Sequence, residues 1–211
     1  MARTARRDPA RKRTAPKEER QNQLILATIR SVAKNGLPDT TTATVAREAG
    51  LSQGIINLHF RSKQRLLVET LRHIAENYRV AWERALEQAG SDPADRLRAL
   101  VGVDFDKTVC DRNTLAVWFA FWGESKSRPT YRKICAERDK AYRREIVQVC
   151  ADLIESRGYT GLDAETVGAC ISAMTAGCWL DLLVRPRSLD RERARAICMS
   201  YLASVFPRDF G

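Results

Sequence analysis

The sequence predicts an all-α protein of about nine helices, and three observations carry that prediction. Apolar residues recur at three- and four-residue intervals along most of the chain, the spacing of one helix face. Glycine (11) and proline (7) are scarce, which disfavours a turn-rich sandwich. Several of them sit beside Asp, Asn, Ser or Thr at segment ends, where helices start and stop.

In chain order, residues 1–16 mix Arg, Lys, Pro, Ala and Thr, with nothing apolar larger than alanine after Met1. No burial there offsets chain entropy, so the segment reads as a disordered basic arm with Arg11-Lys12-Arg13 as its densest run. An arm of this kind suits DNA phosphate or a minor groove, and a solvated tail without contacts fits it equally. Leu24, Leu26, Ala27, Ile29, Val32 and Ala33 then mark a helix stopped at Asn35-Gly36. Thr40, Thr41 and Thr42 are three candidate caps for a short helix through Val45, Ala46 and Ala49, and Gly50 ends it where a positive φ is wanted. Ser52 caps a second short helix through Ile55 and Ile56 towards His59. Two short helices joined by Gly50-Leu51-Ser52 form a helix-turn-helix, so residues 17–63 read as a DNA-binding domain.

Residues 64–211 read as a second helical domain for ligand sensing and dimerisation. A long helix runs from Lys63 to about Ala89. Asp92-Pro93 opens another through Leu97, Leu100, Val101 and Phe105. Asn113 to Gly123 is a third. Arg128-Pro129 starts a long polar-rich helix stopped at Gly158, Leu162-Asp163 starts one ended by Pro186, and a last one spans Leu189 to Phe206 before Pro207.

Charge points the same way. The chain carries +10, and residues 1–63 hold 13 basic against 5 acidic residues, a net of +8 that leaves +2 for the remainder. Charge concentrated in one third of a chain implies a polyanion partner there. The longest strongly apolar stretch is Leu115 to Trp122, short of a membrane span, and no signal-like segment follows the basic start, so a cytoplasmic protein is expected. Six cysteines without a Cys-x-x-Cys pair, and only His59 and His73, offer no metal or cofactor site; reduced thiols are expected.

The run from Thr42 to Lys63, TATVAREAGLSQGIINLHFRSK, resembles the DNA-binding signature of TetR-family transcriptional regulators. Gly54-Ile55-Ile56, Leu66-Leu67, Ala120-Phe121-Trp122 and Trp179-Leu180 are similar to its branch of choline-responsive, BetI-like repressors of glycine-betaine synthesis and osmoprotection. The resemblance implies a homodimer on a pseudopalindromic operator. It gives Thr42 a phosphate at the start of a helix, places Ser52, Gln53, Gly54, Ile55 and Asn57 on the recognition helix, and makes His59 and Lys63 phosphate contacts. Gln53 and Asn57 are four residues apart, so both amides can face the groove, and both suit adenine. This chain reads Leu58-His59-Phe60 where many relatives carry a tyrosine near the histidine, and Phe60 reads as core.

Two features of the second domain bear on partners. The last two helices carry small and apolar residues on more than one face, including Ala173, Ala176, Ile197 and Tyr201, which implies a partner helix pair across a dyad. Trp118, Phe121, Trp122 and Trp179, with Asp104 and Phe105 nearby, have the composition of a quaternary ammonium site: ring faces and a carboxylate for a cation without hydrogen bonds to offer. Rings at this spacing equally fill a helical core.

The function predicted is a ligand-responsive repressor. A TetR-type regulator of multidrug efflux or another catabolic operon, sensing a different hydrophobic or cationic molecule, would use similar residues. An enzyme finds no triad order, metal spacing or phosphate loop here. An architectural DNA binder explains the charge but not the near-neutral second domain.

Overall fold

The computed structural model describes residues 16–211, all of them helix or short connection, in ten helices. These are α1 (Lys17–Asn35), α2 (Thr42–Ala49), α3 (Gln53–Phe60), α4 (Lys63–Gln88), α5 (Pro93–Val103), α6 (Arg112–Glu124), α7 (Pro129–Arg157), α8 (Ala164–Val184), α9 (Arg191–Val205) and α10 (Pro207–Phe210). The basic arm expected over residues 1–16 lies outside the described residues but for Pro16.

Local chemistry sets most boundaries. Asp92, Asp111, Asp163 and Asp190 each accept a first-turn backbone N–H and so start α5, α6, α8 and α9; a cap of this type is worth about 1 kcal/mol. Of the three candidate threonines, Thr41 is the cap of α2, in a reciprocal box with Thr44, and Thr42 is the first helical residue. Gly50 (φ 65°) and Gly158 (φ 64°) close α2 and α7 in the left-handed region that glycine enters without steric penalty.

Four expectations need correction. Ser52 stands at the N-cap of α3, but its side chain makes no capping bond. The α5 helix ends at Val103, so Phe105 lies beyond it, and Asp104 sits at its C-cap. The helix before Pro207 does stop there, at Val205, but it is not the last: Pro207 occupies the first position of α10, where its missing N–H is harmless. That helix is anchored by Asp209, which accepts from Arg157 Nε (2.9 Å) and the Tyr159 hydroxyl (2.8 Å). The longest apolar segment is α8, long and apolar enough to span a membrane; here it packs on α6, α7 and α9. Its many Ala, Gly, Cys and Thr residues hide that run from an eye set on large side chains.

Two apolar cores result. Leu24, Ala27, Val45, Ala46, Ala49, Ile56, Phe60 and Leu66 form a small one among α1–α4. A larger one runs from Val32 and Leu67 through α4–α9 to Phe206. The chain's two struts are α1 and α4, since each contributes side chains to both cores. Along α4 the change falls between Leu66 and Leu67.

Candidate functional site

The helix-turn-helix presents its polar residues outward. On α3, Ile56 and Phe60 are buried, which turns Gln53, Gly54, Asn57 and Leu58 to solvent. Thr42 at the start of α2 donates to Gln53 Oε1 across 3.4 Å, so the two helix starts are tied at the outer face. Nothing in the protein excludes a side chain at Gly54; the nearest atom to a Cβ at that position would be Ser52 Oγ, 3.9 Å away. Ser52 is exposed, whereas Ile55 is half-buried against the small core and Lys63 half-buried at the first turn of α4. His59 is half-buried, and its carbonyl accepts from Gln21 Nε2 at 3.5 Å. After α3 the chain turns through Arg61, the one non-glycine residue with positive φ (65°) among the described residues.

Two groups here escaped sequence reasoning. Leu58 is 75% exposed, an apolar side chain beside Asn57 on the outer face of α3. Arg47 on α2, Arg61 between α3 and α4, and Arg65 in the first turn of α4 are exposed basic residues of the same helix-turn-helix region. Neighbouring charge density was the available signal for the arginines; for Leu58 the signal was its place one residue past Asn57, opposite Ile56.

The second domain holds a cavity of about 240 Å³ between α4, α6, α7 and α8, lined among others by Tyr78, Trp122, Arg138, Tyr142, Thr175 and Trp179 and open to solvent beside exposed Asp139, Arg143 and Ala173. Behind its wall lies Asp104, with no exposed surface. The α5 C-cap position explains its inward aim: its carboxylate accepts from the Tyr78 hydroxyl (2.5 Å) and the Tyr142 hydroxyl (2.7 Å), and its carbonyl accepts from Trp179 Nε1 (2.8 Å). Burial raises its pKa to about 6, against those hydroxyls and the positive charge of Arg138. Burial and the Asp104 charge hold both tyrosines well above their usual range, so they remain donors.

The rings already face a cation. The guanidinium of Arg138, on α7, lies 4.0 Å from the Tyr78 ring centroid, 4.7 Å from Trp118, 5.1 Å from Trp179 and 5.9 Å from Trp122. Its side chain is 10% exposed and pairs with Asp139 at 2.6 Å. Burial opposes the charge, while Tyr78, Asp139 and Asp104 together hold its pKa above the ordinary value. Three buried polar atoms among the described residues lack a hydrogen-bond partner: Trp122 Nε1, Arg138 Nε and Thr175 Oγ1. All three residues line this one cavity.

Of the ligand residues read from the sequence, Trp118, Trp122, Trp179 and Asp104 are thus brought together. Phe121 is not: it is fully buried on another side of α6, edge-on to Tyr131 at 4.8 Å. Phe105 is core and does not line the cavity. The tyrosines and Arg138 were missed because they sit on α4 and α7, whose polar surroundings carry no local mark of a pocket.

The outer faces of α8 and α9 hold exposed Ala173, Gly177, Leu180, Val184 and Ile197.

Comparison with known proteins agrees with this division. Residues 24–70 match the family described as bacterial regulatory proteins, tetR family, and residues 93–207 match the C-terminal region of BetI-type transcriptional repressors. The HTH-type transcriptional regulator BetI of Burkholderia mallei (strain NCTC 10229) is 33% identical over 186 residues, covering 88% of this chain and 93% of that protein. The BetI of Burkholderia cenocepacia (strain J2315) is 32% identical over 193 residues, 92% of this chain and 97% of its own. Among solved structures, a transcriptional regulator from Pseudomonas aeruginosa PAO1 matches with a TM-score of 0.80 at 26% identity, over 93% of this chain and 96% of that one. A regulator from Saccharomonospora viridis, solved in complex with choline, shares the fold with a TM-score of 0.76 at 23% identity, over 88% and 96%. The chain belongs to the TetR family of ligand-responsive transcriptional regulators, with the C-terminal region of a BetI-type repressor.

Proposed function

We propose that the protein is a cytoplasmic, homodimeric repressor of choline uptake or glycine-betaine synthesis genes, whose hold on operator DNA weakens when choline or a related quaternary ammonium enters the α4–α8 cavity. Residues 17–63 are the DNA-binding unit and residues 64–211 the sensor and dimer unit. The observation that carries this reading is the ring cluster of Tyr78, Trp118, Trp122 and Trp179 closed around a buried positive charge with Asp104 behind it. A trimethylammonium group needs that environment: diffuse charge for the ring faces, and apolar methyls that ask for no hydrogen bond. The cavity lies below the roughly 300–1,000 Å³ of drug-sized sites, which favours a small cation over a bulky efflux substrate. The names of the BetI relatives and the choline of the Saccharomonospora regulator support the same ligand class.

On the DNA side, Gln53 and Asn57 read base edges, with Leu58 beside them suited to a thymine methyl group. Thr42, Ser52, His59 and Lys63 hold phosphates, Gly54 admits the backbone closely, and Ile55 sets the helix against its core. The bare α8 and α9 faces pair across a dyad, which places two recognition helices on a pseudopalindrome. Because α4 belongs to both cores, a ligand that moves Tyr78 acts on the helix that starts at Lys63.

Titration of the protein with choline, glycine betaine, betaine aldehyde and lipophilic cations, followed by thermal shift and by affinity for a selected operator duplex, tests this reading. Choline is expected to raise the melting temperature and to weaken operator binding. A lipophilic cation acting alone would favour the efflux type of regulator instead; no response to any of them would leave the rings as core.

A further inference from the structure

We propose that Arg138 is an internal stand-in for the ligand: its guanidinium holds the aromatic cage in the ligand-free protein, and a quaternary ammonium binds by displacing it. The proposal rests on the ligand class argued above and adds how the cage is kept closed and what sets its affinity.

The geometry points to displacement, not to a shared site. The guanidinium is within about 6 Å of four ring centroids, the range of cation–π attraction, and so takes up the ring faces that a second cation would use. Two like charges against the same rings repel, and the cavity's lining carboxylate, Asp139, is already paired with Arg138. Either cation fits; the pair does not.

The internal occupant is also an imperfect one. With it in place, Arg138 Nε, Trp122 Nε1 and Thr175 Oγ1 are buried without partners. A planar guanidinium only donates, so it cannot satisfy the indole N–H of Trp122 beside it. A quaternary ammonium carrying a hydroxyl or carboxylate offers the acceptor oxygen that Trp122 lacks. The displaced arginine gains as well, because it has somewhere to go. Arg138 lines both the inner cavity and an outer groove of about 410 Å³ between α4 and α7, where Glu137 stands with Arg72 and the Glu76–Arg79 pair. Outward rotation hydrates Nε and opens the cavity to the groove. Arg138 is therefore the occupant that a ligand must move. It also sets a threshold: the ligand's apparent affinity is its affinity for the empty cage reduced by the cost of expelling the guanidinium.

The test uses tetramethylammonium and methylguanidinium as probes of the full-length protein, read by tryptophan fluorescence and thermal shift. Arg138→Ala vacates the cage; Arg138→Gln removes the charge with less loss of volume and serves if the alanine variant does not fold. Both variants are expected to bind tetramethylammonium at least tenfold more tightly than wild type, and methylguanidinium is expected to raise the melting temperature of Arg138→Ala while leaving wild type unmoved. Equal tetramethylammonium affinity in wild type and variants would overturn the displacement and leave the quaternary ammonium reading standing. Failure of every form to bind tetramethylammonium, with no stabilisation by methylguanidinium, would overturn both.

Discussion

The helix-turn-helix and the sensor domain solve opposite problems with their polar groups. On the surface proposed to meet DNA, Gln53, Gly54, Asn57 and Leu58 stand in water, and the small core beneath them is made of other residues. Their desolvation waits until DNA arrives. In the sensor, Asp104, Tyr78, Tyr142 and Arg138 are desolvated before any ligand comes, and three neighbouring polar atoms have no partner at all. A surface that reads a polyanion can leave folding untouched, whereas a cavity that reads a small cation is part of the core it sits in. Substitutions in the two regions should therefore separate binding from stability in one case and confound them in the other.

The largest expected effect breaks that contrast most plainly. Trp179 is 2% exposed and donates to the Asp104 carbonyl. Trp179→Ala should cost about 3–5 kcal/mol of unfolding free energy by urea titration, together with all choline binding. Trp122 is less buried and its indole N–H is unbonded. Trp122→Ala should also lose the ligand response but unfold with a smaller deficit, keeping operator binding intact. If Trp122→Ala stays folded and binds choline as wild type does, the cavity is core and nothing more.

Next in size is a pH effect confined to the sensor. The Asp104 carboxyl has a folded pKa of about 6 against an ordinary 3.8, raised by burial and opposed by the Tyr78 and Tyr142 hydroxyls and the Arg138 charge. The folded state keeps this proton to higher pH than the unfolded chain does. Its contribution to stability is thus complete below pH 4 and is lost as pH rises through 6, on the order of 3 kcal/mol. Ligand affinity should run the other way, since a cation prefers the ionised carboxylate. Urea unfolding and choline titration across pH 4 to 8 should show the two opposed trends, and Asp104→Asn should flatten both.

The same contrast explains what was legible in the sequence. The helix-turn-helix is local: its caps, its Gly50 and its outward residues lie within one short run, so periodicity and turn chemistry reach them. Trp118 and Trp122 were legible for the same reason, being four apart on α6. The cavity as a whole was not, because Tyr78, Asp104, Arg138 and Trp179 come from α4, the end of α5, α7 and α8, and only tertiary packing joins them. Arg138 shows the limit best: on a helix crowded with Lys, Arg, Asp and Glu, nothing in the sequence distinguishes the one guanidinium that turns inward. Phe121 failed in the opposite sense. Its neighbours in sequence are cage residues, but the rotation of the helix sends it to Tyr131.

On the DNA side the expected losses are smaller and specific. Gln53→Ala and Asn57→Ala should each relax base preference by about 1–3 kcal/mol at individual operator positions and leave unfolding within about 0.5 kcal/mol of wild type. Lys63→Ala should instead weaken binding to operator and random duplexes alike and reduce the salt dependence. Competition binding on single-substituted duplexes at several salt concentrations tells these apart, and equal losses on all sequences for all three variants would defeat the assignment.

The smallest effect sharpens the comparison at a single residue. Arg61 turns the chain from α3 into α4 with φ 65° and ψ −28°, a conformation that costs a residue with a side chain about 1–2 kcal/mol relative to glycine's freedom there. Glycine loses more chain entropy on folding, so Arg61→Gly should stabilise the helix-turn-helix by no more than about 1 kcal/mol, read from the exchange of its core amides. An arginine at a strained turn beside Lys63 is explained if its charge meets a phosphate. Arg61→Gly should then weaken binding to every duplex and lower the salt slope by about one contact, while the protein itself becomes more stable. Arg61→Asn, which tolerates the left-handed turn, should lose the same affinity. Unchanged affinity in both variants would make Arg61 a solvated side chain and would confine DNA recognition to α2, α3 and the start of α4.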